Sequence, residues 1–145
     1  GEARDLARAH AKMALEVQAG MAPGDAPALL LSGGELTVTR RGGGVGGPNA
    51  EYALALALAL ERAPGIHAIA CDTDGVDGTA ELAGAVIGPA TLDCGADAAA
   101  ALAENDAHGF FARAGGQVVT GPTLTNVNDF RAILVEPVED RLKTS

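Results

Sequence analysis

From Ala53 to Leu60 the chain reads Ala-Leu four times over, and this run constrains the fold more than any other. A period of two is the pattern of a half-buried strand, but here the residue between the leucines is alanine rather than a polar one. Both are strong helix formers, and no β-branched residue interrupts them. The pattern predicts a helix over 49–62, with Leu54, Leu56, Leu58 and Leu60 spread around it and most of its sides buried. The small alanines allow close approach to a sheet. The run is far shorter than the roughly 20 apolar residues of a membrane span, so no membrane partner is expected.

Other elements follow from local signals. Residues 2–19 read as an outer helix with Leu6, Met13 and Val17 near one face and Gly20 as terminator. Pro23, Gly24 and Pro27 mark a loop into a short strand, 28–31, which Ser32-Gly33-Gly34 breaks. Residues 36–40 carry Thr37, Val38 and Thr39 and read as a second strand. Strands are also expected at 66–71, 117–120 and 132–135, a short element at 83–87, and helices at 97–103 and 107–114. No repeat, low-complexity tail or interdomain linker is visible, and 145 residues suffice for one domain with its own core.

The chain carries 19 acidic residues against 10 lysines and arginines, a net charge of −9, which disfavours nucleic acid and anionic membranes as partners. Two cysteines, Cys71 and Cys94, have neither zinc-site spacing nor the density of a secreted scaffold. With a charged start and no signal-peptide pattern, a cytoplasmic location is expected.

Four polar segments are candidates for chemistry. The run Gly42-Gly43-Gly44-Val45-Gly46-Gly47-Pro48 precedes the Leu/Ala helix, where glycine amides and a helix N-terminus at Asn49 favour an anion. It lacks the Lys-Ser/Thr pair of a P-loop and the G-x-G-x-x-G dinucleotide fingerprint, and a mobile surface loop is the alternative. Asp72, Asp74, Asp77 and Glu81 surround glycines beyond the strand 66–71, where α/β sheets bind ligands. Such carboxylates could hold Mg²⁺ with water completing its shell, or simply cap turn amides. Ser32-Gly33-Gly34-Glu35 is a turn with a hydroxyl, amides and a carboxylate. Residues 120–129 concentrate Thr123, Thr125, Asn126, Asn128 and Asp129, either for a ligand or to satisfy irregular backbone. His10 and His67 read as structural, and His108 has no nucleophile or metal partner at useful spacing.

Taken in order, these segments, with Glu51, Ala83-Gly84-Ala85, Asn105-Asp106 and Phe110-Phe111, resemble the MOFRL domain across about residues 28–135. The family's proteins are glycerate 2-kinases, often labelled hydroxypyruvate reductases. The resemblance implies a single MOFRL-like domain over 1–145, with a helix and linker at 1–27 leading from a missing Rossmann-like N-terminal domain and a core at 28–138. The fold expected is α/β, a three-layer α/β/α sandwich with a mixed sheet.

The function implied is ATP- and Mg²⁺-dependent phosphorylation of D-glycerate in an interdomain cleft. Asp74 and Asp77 would be the catalytic and metal-binding carboxylates. Ser32, Gly33, Gly34, Glu35, Gly46, Gly47, Asn49, Glu51, Thr123, Thr125, Asn126, Asn128 and Asp129 would contact substrate or phosphate. Many members carry Lys or Arg at the positions of Gly43 and Val45 and Arg at that of Pro48; here Arg40 and Arg41 are the cations left in the loop. The competing readings are a nicotinamide-dependent hydroxypyruvate reductase and a non-catalytic effector-binding or homo-oligomerising module, the last requiring an exposed Leu/Ala helix.

Overall fold

A computed structural model describes residues 1–139. In chain order the elements are α1 (Ala3–Ala19), β1 (Ala28–Gly33), α2 (Pro48–Leu60), β2 (Ile66–Asp72), β3 (Gly84–Ile87), a 3₁₀ turn (Thr91–Cys94), α3 (Ala98–Ala103), α4 (Ala107–Ala114), β4 (Gln117–Val118) and β5 (Asp129–Val135).

The Leu/Ala run is helical. Pro48, which needs no amide partner, sits in the first turn of α2, and the helix ends where Glu61 and Arg62 turn left-handed, with φ of 50° and 59°. Leu54 and Leu56 are fully buried and most of the helix is enclosed, which removes the support for an oligomerisation module built on an exposed α2. α1 packs along α2 through Ala3, Ala7, Ala11 and Ala14, whereas Leu6 and Val17 are half-buried and Met13 is 49% exposed. The expected Leu6–Met13–Val17 face gives way to an alanine stripe because small side chains let the two helix backbones approach closely. α1 is therefore part of the core rather than only a lead-in to it.

The five strands form one sheet in the order β1-β5-β2-β3-β4, and every neighbouring pair is antiparallel. The mixed sheet expected from the sequence is not formed. β1 and β2 run parallel, as a strand–helix–strand unit requires, but β5 returns between them and pairs with both. The expected strand at 36–40 is also absent: only Thr37 forms a bridge, to Glu2 at the start of α1.

The helices cover one face of the sheet. Ile66, Ala68, Ala70, Ile133 and Val135 point into that layer, where Phe110 and Phe111 meet edge to face at 5.3 Å. The opposite face carries Leu29, Leu31, Ile69, Val86, Phe130 and Leu134, and the first two are 57% and 64% exposed. Among the described residues the domain thus has two layers, and the third layer of the expected sandwich is missing. An antiparallel sheet tolerates this because its backbone is paired whether or not a second layer covers it.

Candidate functional site

The topology gathers the four polar segments at one end of the sheet. The Ser32-Gly33-Gly34 turn leaves the carboxyl end of β1 opposite the start of β5, with Gly33 paired to Phe130. The 72–79 turn leaves the carboxyl end of β2, where Asp72 pairs with Asp129. Thr73 joins that turn to 120–129: its amide and hydroxyl donate to the carbonyl of Asn128, and its hydroxyl accepts from the amide of Val127. The hydroxyl of Thr123 donates to the carbonyl of Thr73. Gly75, at φ +93°, lies so close to the carbonyl of Gly121 that a Cβ would collide with it. The fourth segment enters through Asn49, whose Nδ2 donates to Asp129 Oδ1 at 2.8 Å and to Asp77 Oδ1 at 3.2 Å.

Asp77 departs most from its expected role. It is fully buried, and its two oxygens accept from the amides of Asn49 and Ala50, each at 2.9 Å. Gly47 precedes α2 and offers no side-chain cap, so Asp77, 28 residues beyond Asn49, caps the helix instead. The anion expected at this N-terminus is thus an internal carboxylate, held where the helix dipole favours negative charge. Behind it, His108 Nε2 lies 3.0 Å from Asp77 Oδ2, out of line for a hydrogen bond, with the ring buried. Asp77 consequently has no oxygen turned to an open face for metal.

The glycine loop is pinned rather than mobile. Asn105, held left-handed at φ 55°, accepts from the amides of Arg41 and Gly42 through Oδ1 and donates through Nδ2 to the carbonyl of Thr39 and to Glu51 Oε1. Gly44 donates to the carbonyl of Glu104, and Val45 to Asp106 Oδ1. A Cβ on Gly42, Gly44 or Gly46 would strike residues 104–106, and one on Gly47 would strike Asp77. The glycines are needed for this approach, and several of the amides expected to cradle phosphate are occupied. Gly43, Gly46 and Gly47 donate to no acceptor among the described residues, and Gly43 has open space around it. Glu51 is also buried, bound to Arg4 Nε at 3.2 Å and to Asn105, so its carboxylate ties α1, α2 and the α3–α4 turn together.

The predicted residues that do face outward are Gly33, Gly34, Glu35, Thr123, Thr125, Asn126 and Asn128, with Ser32, Gly46 and Asp74 half-buried. Asp74 uses Oδ1 to accept from the amide of Val76, and its amide donates to Asp72. Burial chiefly, with the charges of Asp74 and Asp129 adding to it, raises the Asp72 carboxyl above its ordinary range, although the Asp74 amide works against this. Burial first, and then Asp72, Asp129 and Asp77, pushes the Cys71 thiol up. Among the described residues no three His, Cys, Asp or Glu side chains gather as a metal cage.

Reading the sequence alone missed Arg131, Tyr52, Asn105 as a loop anchor and Thr73. Arg131 is fully buried on the helix side of β5 and donates through Nη2 to the carbonyls of Gly33 at 2.7 Å and Gly34 at 3.0 Å. An arginine between apolar strand positions was the signal available.

Fold and site together define a two-layer α/β domain whose polar turns converge at one sheet end and whose glycine loop leads into a buried, internally capped helix. Residues 28–129 match the MOFRL family, and the chain belongs to it. A protein of Agrobacterium vitis bearing the provisional name hydroxypyruvate reductase is 50% identical over 141 residues, covering 93% of this chain and 32% of its own length. The D-glycerate 2-kinase of Thermotoga maritima is 39% identical over 132 residues, covering 88% of this chain and 32% of its own. A crystal structure of glycerate kinase from Thermotoga maritima superposes with a TM-score of 0.87 at 37% identity, covering 93% of this chain and 34% of that one. The chain spans about a third of the length of these relatives.

Proposed function

We propose that this chain is the C-terminal domain of a glycerate 2-kinase and forms one wall of a cleft shared with a Rossmann-like N-terminal domain. The γ-phosphoryl of ATP is transferred there to the 2-hydroxyl of D-glycerate, giving 2-phosphoglycerate. The observation that carries this reading is the meeting of the four polar segments beyond the carboxyl ends of β1 and β2, with side chains of three of them facing solvent. Phosphoryl transfer depends mainly on positioning and charge neutralisation; this surface offers positioning groups, and Mg²⁺ with cations of both domains would neutralise the charge.

The residues fit Mg²⁺ in the form that takes one or two carboxylates and completes its shell with water and phosphate oxygens. Asp74 would hold it with Asp72, whose carboxyl is already crowded by neighbouring negative charge. When bound, the ion neutralises charge on the transferring phosphoryl group. The free amides of Gly43, Gly46 and Gly47, with Thr123, Thr125 and Asn126, are the groups of this chain that would position phosphate or substrate oxygens. Asp77, Asn49, Glu51 and Asn105 act behind them by fixing the loops.

Release of ADP with D-glycerate as acceptor, followed by a coupled assay on the intact protein, tests the proposal. ADP production above background is expected, and none would remove it. The name of the Agrobacterium relative favours a second reading, reduction of hydroxypyruvate. Oxidation of NADH dependent on hydroxypyruvate in the same preparation would reverse the ranking.

A further inference from the structure

Arg131 is 1% exposed, yet among the described residues no carboxylate pairs with it. The ion pairs among the described residues are Arg4–Glu51, Arg8–Asp5 and Arg62–Asp93, and the remaining close approach of this kind is His108 to Asp77. Its guanidinium has only neutral partners: the two carbonyls of the Gly33-Gly34 turn, the hydroxyl of Ser32 at 3.3 Å from Nε, and the Tyr52 ring, 5.5 Å from Cζ. Nη1 is buried and finds no acceptor among the described residues. A buried cation without a counter-charge is costly, and a guanidinium with unused N–H groups matches a carboxylate in shape as well as charge.

Space for one lies beside it. A cavity of about 230 Å³ between α1 and the β1–β5 pair is lined by Arg131, Ser32, His10, Tyr52, Leu30 and Met13 among others. Ser32 accepts from Arg131, which leaves its proton to donate. His10 Nδ1 and the Tyr52 hydroxyl are 2.7 Å apart. Burial, aided by the Arg131 charge, lowers the His10 pKa and keeps the ring neutral, while burial pushes the Tyr52 hydroxyl up to about 12. With the Tyr52 proton on Nδ1, the neutral ring carries its own proton on Nε2 and remains a donor. The volume accommodates several waters or one small organic acid.

We infer that this cavity binds a small organic carboxylate, with Arg131 as its counter-ion and Ser32 and His10 as further donors. The inference goes beyond the kinase reading and stands without it. Because Arg131 also holds the carbonyls of Gly33 and Gly34, occupancy would be felt at the 32–35 turn.

The chain has one tyrosine and no tryptophan, so Tyr52 emission reports directly from the cavity wall. Titration with sodium lactate at constant ionic strength is expected to change that emission saturably in the millimolar range, while glycerol leaves it unchanged. Arg131→Lys should weaken lactate by about tenfold or more, the equivalent of one charge-assisted hydrogen bond. Asp93→Asn, exposed on the 3₁₀ turn and outside the cavity lining, should leave the affinity intact. Should Arg131→Lys fail to fold by circular dichroism, Ser32→Val, which removes the hydroxyl, serves as the second variant and should likewise weaken lactate by about tenfold. An emission change that never saturates up to about 100 mM, an equal response to glycerol, or full affinity in a folded Arg131→Lys or Ser32→Val variant would overturn the inference.

Discussion

Two aspartates three residues apart have opposite environments. Asp74 is half-buried with its carboxylate at the mouth of the turn cluster, whereas Asp77 is enclosed and caps α2. Their substitutions should therefore separate. Asp77→Ala strips two helix amides of their acceptor and leaves His108 facing a void, a loss of about 2–4 kcal/mol that urea denaturation would show as a lower midpoint. Asp74→Asn should change stability by less than about 0.5 kcal/mol while lowering the D-glycerate-dependent ADP release that tests the proposed function. Equal destabilisation by the two would refute this division. His10 allows a pH prediction. Its folded pKa lies below the ordinary 6.5, so the folded state binds fewer protons than the unfolded chain around and below that value. The contribution is fully present above about pH 6.5 and is lost as pH falls through the depressed folded pKa. His10→Gln should flatten the fall in melting temperature between about pH 7 and pH 5 relative to the unaltered chain.

The glycine loop behaves as an element in its own right, with residues 104–106 as its mould. Gly44→Ala pushes a Cβ into the Cα and Cβ of Asp106 and should cost about 1–3 kcal/mol by thermal or chemical denaturation. Gly43→Ala has open space and should be neutral to within about 0.5 kcal/mol. Gly43→Lys should be equally well tolerated and would add a cation to the loop. Loss of stability in Gly43→Ala comparable to that in Gly44→Ala would show that flexibility rather than close packing explains the glycines. Asn105→Ala removes all four of its side-chain bonds at once and frees the loop without touching it, which hydrogen exchange at the Gly42 amide would detect.

At the scale of the molecule, the layer of helices and the bare sheet face have different consequences. α1, α2, α3 and α4 lie on one side, leaving a mostly apolar surface on the other and β1 as an edge strand without a charged residue from Ala28 to Gly33. Exposed edges and apolar patches of this kind promote association. Leu29→Lys with Leu31→Lys should leave the melting temperature nearly unchanged and shift the chain toward the monomer in sedimentation velocity. If the double variant unfolds, those leucines are packed more tightly than their exposure indicates. No helix among the described residues is long and apolar enough to cross a membrane.

Local composition determined much of this. Leu/Ala chemistry was enough to make α2 a helix despite its misleading period of two, because helix propensity and the absence of β-branched residues are properties of the segment alone. The order of polar segments likewise identified the family and the sequence positions at which loops would matter. What the segments could not express is which of their groups would be consumed by one another. Asp77 caps a helix 28 residues away, Asn105 fixes a loop more than 60 residues before it, and β5 slips between β1 and β2 to make the sheet wholly antiparallel. Each of these is a long-range pairing decided by burial: a polar group taken from water must find a partner, and only the assembled fold determines which partner is within reach.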